Sequence, residues 1–512
     1  MKGFIYITYL LLLPVISFSQ RITYSEPQRD DSRDINFDII GKMKNNVLVF
    51  KNVRNKYAVS VYNLDDMSLK EKVDMDFIPD KTFNVDFVAY PEHFYFIYQF
   101  QRRGIVYCMG AKMDFNGHLV NEPFELDTTH VGSLGDSRIY STINSEDKSK
   151  IMIFKIQKKN DQFNYTTLLL DENLYLLHKT RQTLSYDDKN DLLSDFLVDN
   201  AGNFIFAKSV KSGSRANISQ LYLITKSPMQ DTFATRRIDL KELFIDEVKI
   251  KIDNFNKRYL LNSFYYVEKR GNIEGIFASI WDVGGDSSYA NVFTKLDDSI
   301  RAFAKSKGNI KFVFNDFFIR NIILKKDGSY LIAAEDFSSQ TSGNNWGWNR
   351  WDYLYGSPFM RPYYNYNYFN NYYYYNPAYG GYYRPFDRYN NQNTRYYYDN
   401  VLLMNVTREG EVTWNKVINK EQFADDSDNY LSFSTFITGS EIHFLYNIIE
   451  KRDKLLSDQT LTSNLTVRRN PTIKSMERGY EFMPKLGKQI GASQLIVPCT
   501  FRNQICFAKI DF

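Results

Sequence analysis

Cysteine and histidine are scarce: the 512 residues hold 3 of the first and 5 of the second. So few soft ligands exclude a disulfide-stapled scaffold and leave little from which to build a zinc or haem centre. His93, His118, His130, His178 and His443 are scattered, with no His-Glu-x-x-His spacing. Neither a Gly-x-Ser-x-Gly elbow nor a glycine-rich phosphate loop occurs, and Gly284-Gly285-Asp286-Ser287-Ser288 reads as a turn. The sequence therefore implies no metal and no cofactor. Charge of one sign is lacking as well: 64 Lys and Arg face 60 Asp and Glu, a formal +4. A dedicated nucleic-acid binder would carry a basic footprint, so nucleic acid is not an expected partner. Long amphipathic helices are missing too. The two short helical candidates are Ile300 to Lys307, capped by Asp298-Ser299 and stopped by Gly308, and Leu240 to Val248.

One apolar run opens the chain. Lys2 precedes it, Phe4 to Ile16 is apolar apart from Thr8, and Ser17 and Ser19 stand at −3 and −1 of a cut before Gln20. That layout predicts a signal peptide over 1–19 and an exported protein. The run is short for a bilayer span of ~20 residues. No later stretch approaches one, so the mature chain is not expected to span a membrane.

The remainder reads as short strands between polar turns. Val47 to Phe50, Phe94 to Tyr98, Ile151 to Phe154, Phe204 to Ala207, Ile310 to Phe314, Tyr330 to Ala334 and Ile442 to Tyr446 are β-branched and aromatic. Between such runs come Asn116-Gly117, Asn200 to Asn203, Asp327-Gly328 and Glu409-Gly410, residues that reach left-handed backbone cheaply. Units begin near Phe37, Asn84, Ser137, Leu193, Lys249, Phe317 and Leu431, and the C-terminal hairpin makes an eighth. Repeats of several strands each predict an all-β, propeller-like fold of seven or eight blades over 20–512. At roughly 54–62 residues per blade the units exceed the ~40–45 of common propeller repeats. Two β-sandwich domains are the alternative. A propeller must close its ring, because open sheet edges invite aggregation, and Gln20 to Tyr24 could supply the closing strand. Cys108 lies in an apolar run and reads as a buried thiol. Cys499 and Cys506 flank Arg502-Asn503; a two-residue hairpin there would set them face to face, bridged or reduced.

Residues 337–398 differ from everything around them. From Trp346 to Tyr398 there are 17 Tyr, 3 Phe and 3 Trp, among Asn, Gly, Pro and Arg, and Leu354 is the one Leu. The segment has neither helical nor strand periodicity and too few aliphatic residues for a core. It reads as a low-complexity excursion between the strands Tyr330–Phe337 and Val401–Val406 of one blade. Tyr offers large contact area with few rotatable bonds and a polar tip, which suits recognition. Candidate binding residues are Trp346, Trp348, Trp351, Arg361, Tyr363, Tyr364, Tyr372, Tyr373, Arg384 and Tyr396. Arg350, Arg361, Arg384, Arg388 and Arg395 could stack on rings as cations. A flexible exposed loop and a loop packed back on the blades are the competing readings.

Asp327-Gly328-Ser329-Tyr330, Ala334-Glu335-Asp336-Phe337, the Tyr-rich stretch, Asp399-Asn400-Val401, Trp414-Asn415-Lys416 and Lys420-Glu421-Gln422 follow one another in order. This set, over roughly 310–423, resembles uncharacterised exported proteins of the Bacteroidota. In that group an acidic strand end, a Tyr-rich loop and a Gly-x-x-x-Trp-x-Lys strand succeed each other. The resemblance implies export to the periplasm or outer membrane in preference to release. It implies no activity, and no functional residue is carried over from it.

Chemistry has few candidates. Asp86, Asp195, Asp316 and Glu335 stand at strand ends, and a glycosidase needs two carboxyls ~5–10 Å apart. Asp425-Asp426-Ser427-Asp428-Asn429 offers hard oxygen ligands without the spacing of a calcium loop. The expectation is a non-enzymatic binding or scaffolding protein of the cell envelope, contacting an envelope protein or a glycan through the aromatic loop. The alternative is a carbohydrate-active hydrolase with paired carboxylates in a propeller channel.

Overall fold

The computed structural model describes residues 20–28, 37–53, 56–79, 82–131, 139–159, 162–185, 190–213, 216–304, 310–341, 350–355, 394–425, 427–450, 453–473 and 479–512. Its construction follows from the turns. Gly202 takes φ +88°, while Asp199 Oδ1 accepts the N–H groups of Ala201 and Asn203. That Asx turn folds Asp191–Val198 back against Phe204–Lys211. Repeating such turns yields a series of four-stranded antiparallel meanders.

Eight units follow one another. Units one to seven have first strands Phe37–Met43, Thr82–Ala89, Tyr140–Asn144, Asp191–Val198, Lys249–Asp253, Phe317–Leu324 and Phe433–Ile437. Each is paired in sequence order with its next three strands, except that Phe244–Ile245 joins units four and five into one sheet. Unit eight is built from both ends of the chain. Lys488–Gly491, Gln494–Phe501 and Gln504–Asp511 are completed by Arg21–Tyr24, which pairs Arg21 with Asp511 and Tyr24 with Ala508.

The core shows that the units form a ring. One face of each meander packs on the next, and apolar clusters join one and two (Phe50 with Phe96), two and three (Ile97 with Ile153), and three and four (Phe154 with Phe204). Others join four and five (Leu221 with Leu261), five and six (Ile276 with Ile332), six and seven (Leu403 with Phe444), and seven and eight (Leu445 with Val497). The last, Val49 with Phe507, returns from eight to one. Each fully buried ring or aliphatic chain of this kind contributes about 1.5–3 kcal/mol. The architecture is an eight-unit β-propeller, within the predicted class.

Three local expectations are corrected. Ile310–Asp316 is a 3-10 turn, not a strand. Val313 and Phe314 turn inward beside Ile300 and Ala304, and Phe312 is left exposed, an arrangement that strand alternation would not give. The stretch from Leu240 to Val248 is not helical: Lys241 and Glu242 have φ of 50° and 63°, and Phe244–Ile245 pairs with strands on both sides. The helix Asp298–Ala304 does form, but Asp297 is its cap, accepting the Ile300 N–H at 3.0 Å.

At the C-terminal hairpin Arg502 and Asn503 have φ of 49° and 62°, the left-handed pair of a type I′ turn. Cys499 stands opposite Cys506 with the sulfurs 2.8 Å apart, both free and both buried. Cys108 is likewise a buried free thiol.

Candidate functional site at the base of the aromatic insertion

The insertion leaves unit six through its longest hairpin. Tyr330–Thr341 and Thr394–Val406 stay paired as far as Thr341 opposite Thr394. The strands thus take in five residues of the aromatic segment on each side, 337–341 and 394–398. Side-chain alternation explains why. Phe337, Tyr396 and Tyr398 point inward and are buried in the core joining units four to six, with Phe337 and Tyr398 4.8 Å apart. Tyr396 is therefore a core residue. A further strand, Phe423–Asp425, pairs along Arg395–Tyr397 and braces the outgoing side.

Beneath this hairpin lies a buried polar lock. Glu335, fully buried, has Lys420 Nζ 2.8 Å from Oε1, while Oε2 accepts from Ser432 Oγ at 2.7 Å and from Arg320 Nε at 3.2 Å. Lys420 also donates to the Tyr398 carbonyl at 2.8 Å and to Gln422 Oε1 at 3.0 Å. Burial pushes the Lys420 ammonium below the ordinary lysine range, against the pull of Glu335. Glu335, first considered as a catalytic carboxylate, is thus held as a structural anion between two cations.

The second anchor is Arg350, which opens the short helix Arg350–Tyr355. Its Nε donates to Asp246 Oδ2 at 2.7 Å, and Nη1 donates to the carbonyls of Asn315, at 3.2 Å, and Phe317. The guanidinium lies 4.0 Å from the centre of the Phe318 ring. Asp246 is 0% exposed and also accepts from the Tyr266 hydroxyl at 2.6 Å. Burial opposes the charge on Arg350, but the Asp246 carboxylate, Tyr266 and Glu247 together outweigh burial and hold the guanidinium above its usual range. Trp351 follows, half-buried, its ring 5.5 Å from Tyr266. Leu354 is buried in the same core as Tyr396.

Both ends of the aromatic segment are therefore clamped to the rigid body, by Arg350 to Leu354 on one side and by Thr394 to Tyr398 on the other. Trp346, Trp348, Arg361, Tyr363, Tyr364, Tyr372, Tyr373 and Arg384 lie outside the described residues. Of the arginines proposed to stack, Arg350 sits over Phe318, while Arg395 lies 5.3 Å from the Phe423 ring centre and pairs with Asp425 at 2.7 Å. Both serve the base itself. The acidic run after it is also committed to the frame: Asp428 accepts from the Tyr398 hydroxyl at 2.6 Å and pairs with Lys485 at 2.8 Å.

Of the remaining carboxyls, Asp86 and Asp195 fall on first strands. Asp195, with φ +54°, accepts the Ile250 N–H, and burial raises its pKa to about 6 against Lys249 and that bond. Asp316 ends the 3-10 turn. Asp86 accepts from Asn84 at 3.1 Å. Its neighbour Asp38, on the first strand of unit one, was not singled out from the sequence. Burial raises the Asp38 carboxyl to about 7, with Lys488 opposing and Asp86 adding to the shift. Its Oδ1 is buried without a hydrogen-bond partner among the described residues. Only its place between two polar neighbours in the ring marks Asp38, and the local sequence carries no sign of that. Among the described residues no group of three or more His, Cys, Asp or Glu is gathered as for a metal ion, and no helix is long and apolar enough to cross a membrane.

No protein-family model matches the chain, and no curated protein matches it in sequence. Solved structures are similar at low identity. Polysaccharide lyase Uly1 is 9% identical with a TM-score of 0.38, covering 83% of this chain and 89% of that chain. The Dos1 propeller is 10% identical with a TM-score of 0.32, covering 84% and 92%. Kuenenia stuttgartiensis hydrazine synthase is 7% identical with a TM-score of 0.31, covering 61% and 78%. Likenesses this distant carry no argument about activity.

Proposed function

We propose that this is an exported, non-enzymatic binding or scaffolding protein of the cell envelope, periplasmic or outer-membrane-associated. Its contact with an envelope protein or a glycan runs through the aromatic segment 356–393. The observation that supports this reading is the double clamp. Arg350 on buried Asp246 and the braced strand at Arg395–Tyr397 fix both ends of a stretch whose composition suits contact and not core. Fixed ends lower the entropy lost when such a segment engages a partner. Replacing 357–392 by a short Gly/Ser linker tests it. Crosslinking in the native envelope and glycan binding should be lost while the melting transition stays in place. Retained partners, or a body that no longer folds, would sink the proposal.

A second reading, the carbohydrate-active hydrolase, draws support from one feature: Asp38 and Asp86 are neighbouring carboxyls with one acidity displaced. Against it, both are buried, and a substrate would have to reach them. Polysaccharide cleavage abolished by both Asp38→Asn and Asp86→Asn in folded protein would establish it in place of the first.

A further inference from the structure

The first strand of the mature chain does more than close the ring. Arg21 pairs with Asp511, so the antiparallel register sets Gln20 opposite Phe512. From there the Gln20 side chain leaves unit eight and crosses to unit seven, where Nε2 donates to Asp458 Oδ2 at 2.6 Å. Asp458 is 0% exposed. It also accepts from Asn470 Nδ2 at 2.7 Å and faces His443 Nδ1 at 3.0 Å, and His443 in turn packs 4.7 Å from the Phe512 ring. Just downstream Tyr24 stacks on Tyr480 at 4.1 Å, and Ser25 exchanges hydrogen bonds with Phe507. Gln20 thus directly precedes the pairing strand Arg21–Tyr24, and its side chain links unit eight to unit seven.

We infer that Ser19–Gln20 is a processing site and that Asp458 is the seat of the new N-terminal residue, which it keeps from cyclising. Cleavage is hydrolysis by a signal-peptide-cleaving protease: water adds across the Ser19–Gln20 bond, leaving a carboxylate on Ser19 and an amine on Gln20. An N-terminal glutamine then ordinarily attacks itself. Its neutral α-amine bonds to Cδ and gives up a proton that passes to Nε2, the Cδ–Nε2 bond breaks, and ammonia leaves. In the seat this step is opposed twice. Cδ must swing back to its own amine, away from unit seven, and the nitrogen that departs is the one donating to Asp458. The hydrogen bond to a carboxylate must break first, which slows the reaction roughly tenfold or more.

The inference shares with the proposed function only the export step. The experiment is N-terminal sequencing and intact mass of the full chain expressed in an exporting host, then a time course of ammonia loss. The expected result is a chain that starts at uncyclised Gln20. Held folded at mildly alkaline pH, it should lose ammonia at least roughly tenfold more slowly than the same protein unfolded in urea. Asp458→Asn, checked for retained fold, should move the folded rate toward the unfolded one. An uncut chain would overturn the processing site and the export reading together. A cut at another bond overturns the processing site and leaves export standing. A correct cut with equal folded and unfolded rates overturns the seat alone.

Discussion

Arg350→Ala probes the clamp most directly. The substitution strips the guanidinium from Asp246, which is 0% exposed, and frees the Asn315 and Phe317 carbonyls. Breaking a buried pair by removing one partner costs about 3–5 kcal/mol, because the remaining charge stays in a poor solvent for it. Asp246 keeps the Tyr266 hydroxyl at 2.6 Å, which places the expectation at the lower end, about 3 kcal/mol. A chain of this length unfolding as one unit gains ~2.1 cal/mol/K per residue, so each kcal/mol moves the midpoint by only about 1 °C. Heat is therefore the wrong probe. Hydrogen exchange is better, since the loss is local. Peptides covering Arg350–Tyr355 should lose protection while those of units two and three keep theirs. Arg350→Lys should behave much like the alanine variant, because one ammonium cannot span both the carboxylate and the two carbonyls. Pairing Arg350→Met with Asp246→Leu should recover most of the stability, as apolar replacements of buried pairs do. Unchanged protection in Arg350→Ala would refute the clamp.

Further expectations follow from the same geometry. Asp38 is raised from 3.8 to about 7 and Asp195 to about 6, so the native state holds protons that the unfolded chain has lost. Their stabilisation is complete below about pH 4 and fades as pH rises through 6 and 7. Between pH 7.5 and 5.5 urea midpoints should therefore rise on acidification, and Asp38→Asn should flatten that slope; a slope of opposite sign would contradict it. Deleting residues 20–28 uncovers the edge of Gln504–Asp511 and removes the Tyr24 stack on Tyr480, so soluble yield should fall and light scattering rise. Monomeric protein with an unchanged melt would show that the ring closes without that strand. Burial lifts the Cys108 and Cys499 thiols well above their usual range. Folded protein should resist alkylation and, unfolded without reductant, should take up reagent at all 3 cysteines. Uptake at Cys108 alone would mean that Cys499 and Cys506 are bridged.

Much of the body is legible in local pattern. A strand's two-residue period and the turn chemistry of Asp, Asn and Gly act over a few positions. Unit starts near Phe37, Lys249 and Phe317 and the hairpin tip at Arg502-Asn503 are therefore visible without coordinates. The closing strand could be anticipated because an open edge is a liability wherever it lies. Local reading fails where a distant partner decides. Ile310 to Phe314 has the composition of a strand, yet it coils as a 3-10 turn so that Val313 and Phe314 fill the core between units five and six. Leu240 to Val248 looks weakly helical, yet Ile218 and Tyr265 recruit Phe244–Ile245 as a bridging strand.

The site divides along the same line. Composition alone set apart the Tyr, Trp and Arg segment as unfit for a core, since it has almost no aliphatic residues. The same chemistry could not tell Tyr396, which alternation turns inward, from its neighbours in the segment. Glu335 and Lys420, 85 positions apart in sequence, are 2.8 Å apart in space, and Arg350 finds Asp246 across 104 positions. A lone carboxylate in sequence can be solvated, catalytic or paired. Which of these it becomes depends on whether a cation from another strand shares its low-dielectric site, and only the closed ring of sheets brings those strands together.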